Sequence, residues 1–154
     1  MELIQTRALR GPNLWSRNTA LEIEVSCSQE ECALNTVSGF METLRGLCPS
    51  IGSLEAPGHQ GPLTLAHALE ATLLALQAQA GCPVSFSCTS ATPVTGVYQV
   101  VVEYSEEDVG RRALKMALQL KALLDATVTH LQNESDLPEQ IAFKPTDNVD
   151  NPFK

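Results

Sequence analysis

A long, strongly apolar stretch from Leu63 to Ala80, stopped by Gly81 and Pro83, constrains this chain more than any other feature. Leu65, Leu69, Leu73 and Leu76 recur at helical spacing and line one face, whereas His67, Glu70, Ala71 and Leu74 share the opposite one. No run of ~18 apolar residues occurs, so the stretch does not read as a membrane span. A helix this apolar has to be covered, and the flanking sequence supplies strands to cover it. Leu21-Glu22-Ile23-Glu24-Val25 alternates apolar and acidic residues, the mark of a half-exposed strand. Residues 3 to 10 read as a strand before it. Val84 to Cys88 alternates as a third, and Val97 to Tyr104 is a fourth, whose Val100-Val101-Val102 run suits a central position.

Two further helices complete the pattern. Residues 35 to 47 carry Val37, Phe40, Leu44 and Leu47 at helical spacing, with Asn35 or Thr36 as cap and Pro49 just beyond the end. Ser105-Glu106-Glu107-Asp108 has the form of a capping box. It opens a helix to about Leu131 with Val109, Ala113, Met116, Ala117, Leu120 and Leu124 as its apolar stripe. The order ββααββα predicts an α+β fold, a mainly antiparallel sheet with helices packed on one face. Ser50 to Pro62 reads as a loop. Residues 1–131 are expected to form one domain, and 132–154, rich in Asn, Glu, Asp and Pro, a flexible tail or linker.

Charge and cysteine usage narrow the function. The chain of 154 residues carries a net charge of −8, which excludes the basic stripe that nucleic-acid binding needs and favours cationic partners. Its five cysteines (Cys27, Cys32, Cys48, Cys82 and Cys88) include no Cys-x-x-Cys pair, and free thiols are the expected state. The amino terminus lacks the pattern of a secretory signal, so the expected location is the cytoplasm. No phosphate-cradling glycine loop, dinucleotide fingerprint or Gly-x-Ser-x-Gly elbow is present, and no cofactor is expected.

The segment Thr6 to Ser16 holds the single tryptophan, Trp15, straight after a Gly11-Pro12-Asn13 turn. Pro12 fixes φ, Gly11 permits a kink, and Asn13 is suited to bond its own backbone; Trp15 is expected to be buried behind this turn. The run Leu-Arg-Gly-Pro-Asn-x-Trp-Ser resembles the opening of cyanophycin synthetases, multidomain ligases that build a polymer with a poly-aspartate backbone and arginine side chains. Thr95-Gly96-Val97-Tyr98-Gln99-Val100-Val101-Val102 and the segment from Leu65 to Gly81 extend the resemblance over roughly residues 1 to 131. That is the amino-terminal domain of the family, without its ATP-grasp and Mur-ligase-like modules. Whether the chain stands alone or belongs to a longer ATP-dependent synthetase is left open.

In many members of that family the helix matching residues 63–80 carries His-x-x-Glu-His, an inverted zinc-peptidase pattern that implies a hydrolase trimming the polymer. Histidines four apart share one helical face and can share a metal, and the glutamate can activate a bound water. Here His67 and Glu70 remain, but Ala71 stands where the second histidine belongs, and Ala75 where a further acid does. His59 in the preceding loop is a remote metal candidate beside His67. With about three protein ligands needed, the zinc site reads as dismantled, and His67 and Glu70 as a remnant able to pair with each other. The chain on its own is therefore read as non-catalytic, binding cyanophycin or assembling with synthetase modules or subunits. The alternative is a zinc-dependent cyanophycin hydrolase that produces primers. Candidate polymer contacts are Arg7, Arg10, Arg17, Arg111, Arg112 and Glu103, since a polymer bearing carboxylates and guanidinium groups uses both signs.

Overall fold

The computed structural model describes residues 1–28, 34–47 and 63–135. In chain order the elements are β1 (Glu2–Leu9), β2 (Ala20–Ser26), α1 (Leu34–Leu47), α2 (Leu65–Gln79), β3 (Ser87–Ala91), β4 (Val97–Glu103) and α3 (Glu107–Ser135). The four strands form one sheet in the order β1-β2-β4-β3, and every neighbouring pair is antiparallel. The α+β architecture and the order ββααββα match the pattern in the sequence.

Alternation decides what each face of the sheet does. Leu21, Ile23 and Val25 of β2, with Val100, Val102 and the adjoining Tyr104, form the main core with Ala66, Leu69, Leu73 and Leu76 of α2 and Ala113, Leu114 and Ala117 of α3. Ile23, Val25 and Val100 are fully buried. A second cluster joins α1 to α2 through Val37, Met41 and Leu44 against Leu65, Ala68 and Ala75. The intervening residues Glu22, Glu24, Gln99 and Glu103 point by the same alternation to the opposite face of the sheet.

Helix α2 stops as its sequence predicts. Gly81 takes φ +78°, the left-handed region that favours glycine. Its N–H donates to the Ala78 carbonyl at 3.0 Å and the Cys82 N–H to that of Gln77 at 2.9 Å, the paired bonds of a Schellman ending. Gln77, 1% exposed, then ties helix to sheet through a 3.1 Å hydrogen bond from Nε2 to the Glu103 carbonyl.

Some boundaries differ from the expected ones. β3 spans Ser87–Ala91 and not 84–88, because its register is set by β4: Ser87 lies opposite Val102 and Ala91 opposite Tyr98. Val84 and Ser85 instead line a cleft described below. α3 continues to Ser135, past the expected end at Leu131. The predicted Ser50–Pro62 loop (up to residue 62), Cys32, Cys48 and the tail from 136 on lie outside the described residues, whereas Cys27, Cys82 and Cys88 are free thiols.

Candidate functional site

The turn after β1 is built by one asparagine. Asn13 Oδ1 accepts hydrogen bonds from the N–H groups of Trp15 and Ser16, both at 2.9 Å, and its Nδ2 donates to the carbonyls of Arg10 (3.3 Å) and Asn18 (2.9 Å). The Gly11–Pro12 bond is cis. A Cβ on Gly11 would stand 2.4 Å from the Arg17 carbonyl oxygen, so only glycine lets the two limbs of the loop close. Trp15 is half-buried, not buried as its place behind the turn predicts, because the loop lies along the end of the sheet rather than inside the core.

What fastens the loop is Glu103, 4% exposed at the end of β4. Its Oε1 accepts from the Ser16 hydroxyl and, at 3.1 Å, from Asn18 Nδ2; its Oε2 accepts from the Ser85 hydroxyl at 3.3 Å. Burial pushes the carboxyl's pKa up, but the bonds from Ser16, Asn18 and Ser85 outweigh it and hold the group below the usual glutamate range. Two backbone and side-chain links, Tyr104 N–H to the Thr19 carbonyl (3.1 Å) and Thr19 Oγ1 to the Tyr104 carbonyl (2.9 Å), close the seam. Beside it opens a cleft of about 710 Å³, lined by Gly11, Arg17, Asn18, Thr19, Pro83, Val84, Ser85, Glu103, Tyr104 and Ser105. Of the charged residues singled out in the sequence, Arg17 and Glu103 meet here.

The other arginines are placed elsewhere. Arg7 faces Glu22 across the β1–β2 pair and donates from Nε at 2.7 Å, while Gln99 Nε2 donates to the other oxygen of Glu22 at 2.5 Å. Arg111 pairs with Glu107 at 2.7 Å and Arg112 with Asp108 at 3.8 Å, one turn apart on α3. Such exposed i,i+4 pairs stabilise a helix by only about 0.3–0.5 kcal/mol. Arg10 and Arg17 are exposed and have no acidic partner among the described residues.

On α2, His67 and Glu70 share the half-exposed face but do not pair with each other. His67 Nδ1 accepts from the Thr64 N–H at 3.1 Å and lies 2.9 Å from Thr64 Oγ1, so the ring caps the start of the helix. Glu70 accepts from the hydroxyls of Ser87 and Thr89, each at 2.5 Å, which ties α2 to β3. Behind β3's alternation, burial pushes the Cys88 thiol up, and the nearby charge of Glu70 adds to the shift, against a bond with the Val101 backbone. A thiol held protonated in this way is a poor nucleophile.

The family model for the cyanophycin synthase-like N-terminal domain matches residues 20–125, more than half of the chain. The chain belongs to that family. Among curated proteins it is similar to the cyanophycin synthetase of Geminocystis herdmanii, 34% identical over 132 residues, which is 78% of this chain and 15% of that protein. The cyanophycin synthetase of Synechocystis sp. is 32% identical over 150 residues, 87% of this chain and 17% of the relative. That of Crocosphaera subtropica is 32% identical over 153 residues, 90% and 18% respectively. The chain thus spans less than a fifth of the length of these relatives.

As a cyanophycin synthase-like N-terminal domain, the chain can be tested for the zinc pattern that the family resemblance implies. His67 Nδ1 is already an acceptor for Thr64, both oxygens of Glu70 are engaged by hydroxyls, and Ala71 and Ala75 offer no donor. Among the described residues, no three of His, Cys, Asp and Glu come together so as to hold a metal ion. A zinc centre with about three protein ligands does not fit this set. His59 lies outside the described residues. Among them, too, no helix is long and apolar enough to cross a membrane. Ser16, Asn18 and Ser85, the partners of Glu103, are not legible as such in the sequence. Serines and asparagines in loops carry no periodic signal, and only Asn13, next to a Gly-Pro pair, announced its turn.

Proposed function

We propose that the chain is a non-catalytic module of cyanophycin synthesis. In this reading it binds the poly-aspartate/arginine polymer, and His67 and Glu70 are the remnant of a hydrolase pattern. The observation that carries the reading is the double engagement on α2: the two residues in register with the zinc-hydrolase pattern act as a helix cap and as a helix-to-strand tie. Membership of the family supplies the substrate class. Arg10 and Arg17 lead the candidate contacts, because Arg7, Arg111 and Arg112 already have carboxylate partners.

Two measurements test this reading. The purified protein is expected to contain no stoichiometric zinc and to leave cyanophycin uncleaved; one zinc per chain that disappears in His67→Ala would restore the hydrolase alternative. Binding is expected to be weak for one Asp-Arg dipeptide, to rise steeply with polymer length, and to fall with added salt. Exposed ion pairs contribute only about 0–1 kcal/mol each, so affinity has to come from many contacts along one chain. Affinity absent at every length and salt concentration transfers the role to assembly with synthetase modules or subunits.

A further inference from the structure

Arg7, Arg111 and Arg112 are neutralised within their own element or by the neighbouring strand. Arg17 is not. It lines an open cleft of about 710 Å³, a volume typical of small-ligand sites, and has no acidic partner among the described residues. Its loop is held before any ligand arrives. Asn13 makes four hydrogen bonds to the loop backbone, and Ser16 and Asn18 are clamped to Glu103. A group presented on a preformed loop binds without the cost of ordering it. The Ser105 hydroxyl, also in the cleft wall, makes no hydrogen bond within the described residues.

We infer that this cleft is a carboxylate-binding site in which Arg17 holds the ligand's carboxylate and Ser105 offers a further hydrogen bond. Arginine's planar fork matches a carboxylate with two parallel hydrogen bonds. Glu103 does not compete for Arg17, since its oxygens are turned to Ser16, Asn18 and Ser85. Its negative charge still stands in the wall, and that disfavours a multiply charged anion such as phosphate against a singly charged carboxylate. The inference deepens the polymer-binding reading and rests on it for the natural ligand: a carboxylate carried by the polymer.

The test uses the full chain, isotopically labelled and followed by NMR. The probes are N-acetylarginine, its carboxamide, inorganic phosphate and long cyanophycin. N-acetylarginine is expected to shift the amides of Asn18, Thr19, Ser85 and Ser105, and to bind about tenfold more tightly than the carboxamide, as a charge-assisted contact should. Arg17→Gln is expected to remove that tenfold preference, Arg17→Lys to keep part of it, and Arg45→Gln, on remote α1, to change nothing. Equal binding of acid and amide, an unaffected Arg17→Gln protein, or phosphate binding as well as the acid would each overturn the carboxylate site. Cyanophycin bound equally by wild type and Arg17→Gln also overturns it, and leaves the polymer reading intact. The acid seated in the cleft with no affinity for cyanophycin keeps the site and overturns the polymer reading.

Discussion

Alanine at Gly11 is expected to lower the free energy of unfolding by about 3 kcal/mol and to open the cleft. The added Cβ would lie 2.4 Å from the Arg17 carbonyl oxygen and 2.8 Å from the Asn18 carbonyl carbon. Both neighbours are backbone, so no side chain can rotate away, and overpacking of this kind costs about 1–3 kcal/mol even where a side chain can yield. The loop has to move as a unit, and Asn18 and Ser16 then draw away from Glu103. For a chain of this size each kcal/mol lowers Tm by about 2–4 °C. Calorimetry should therefore show a fall of several degrees, accompanied by large amide shifts at residues 16–19. A Gly11→Ala protein that melts like wild type would mean that the two limbs of the loop are not in contact.

The second large effect belongs to Glu103→Ala, which is expected to cost about 2–3 kcal/mol near neutral pH. Three side chains, Ser16, Asn18 and Ser85, lose at once the charged acceptor that ties the loop to the sheet. The effect has a pH signature. The carboxyl's pKa is lower in the folded protein than in the unfolded chain, so the folded state binds fewer protons and the contribution grows as pH rises. It is complete above the ordinary glutamate value of about 4.3 and is lost as pH falls through the lower folded value. Urea titrations of both proteins should show a gap in stability at pH 7 that narrows in acid below about pH 4. A gap of constant width would assign the loss to packing rather than to the charged acceptor.

These expectations separate what is local in this protein from what is not. The helix at 65–79 was legible because its leucine spacing, the Gly81 stop and Pro83 all act within a few residues. The strand pair 20–26 and 97–103 was legible because burial on one face imposes a period of two on the residues themselves. The start of β3 was not, since Val84 to Cys88 alternates equally well as a strand. Only pairing with β4 selects Ser87 as its first residue.

The same division runs through the candidate site. The sequence alone determined the element order and the turn at Gly11-Pro12-Asn13, because each depends on residue type and spacing along the chain. Tertiary structure alone decided that Glu103 is a buried clamp, that Trp15 is half-exposed, and that Glu70 answers to Ser87 and Thr89 instead of His67. It also decided which arginines are neutralised: Arg7 meets Glu22 through strand register, whereas Arg17 is carried by its loop to a cleft whose acid, Glu103, is already engaged by Ser16, Asn18 and Ser85. A charge's partner lies wherever the folded chain brings an opposite charge within a few ångströms, and for residues 15 to 87 positions apart that distance is set by sheet register and loop closure, not by spacing in the sequence.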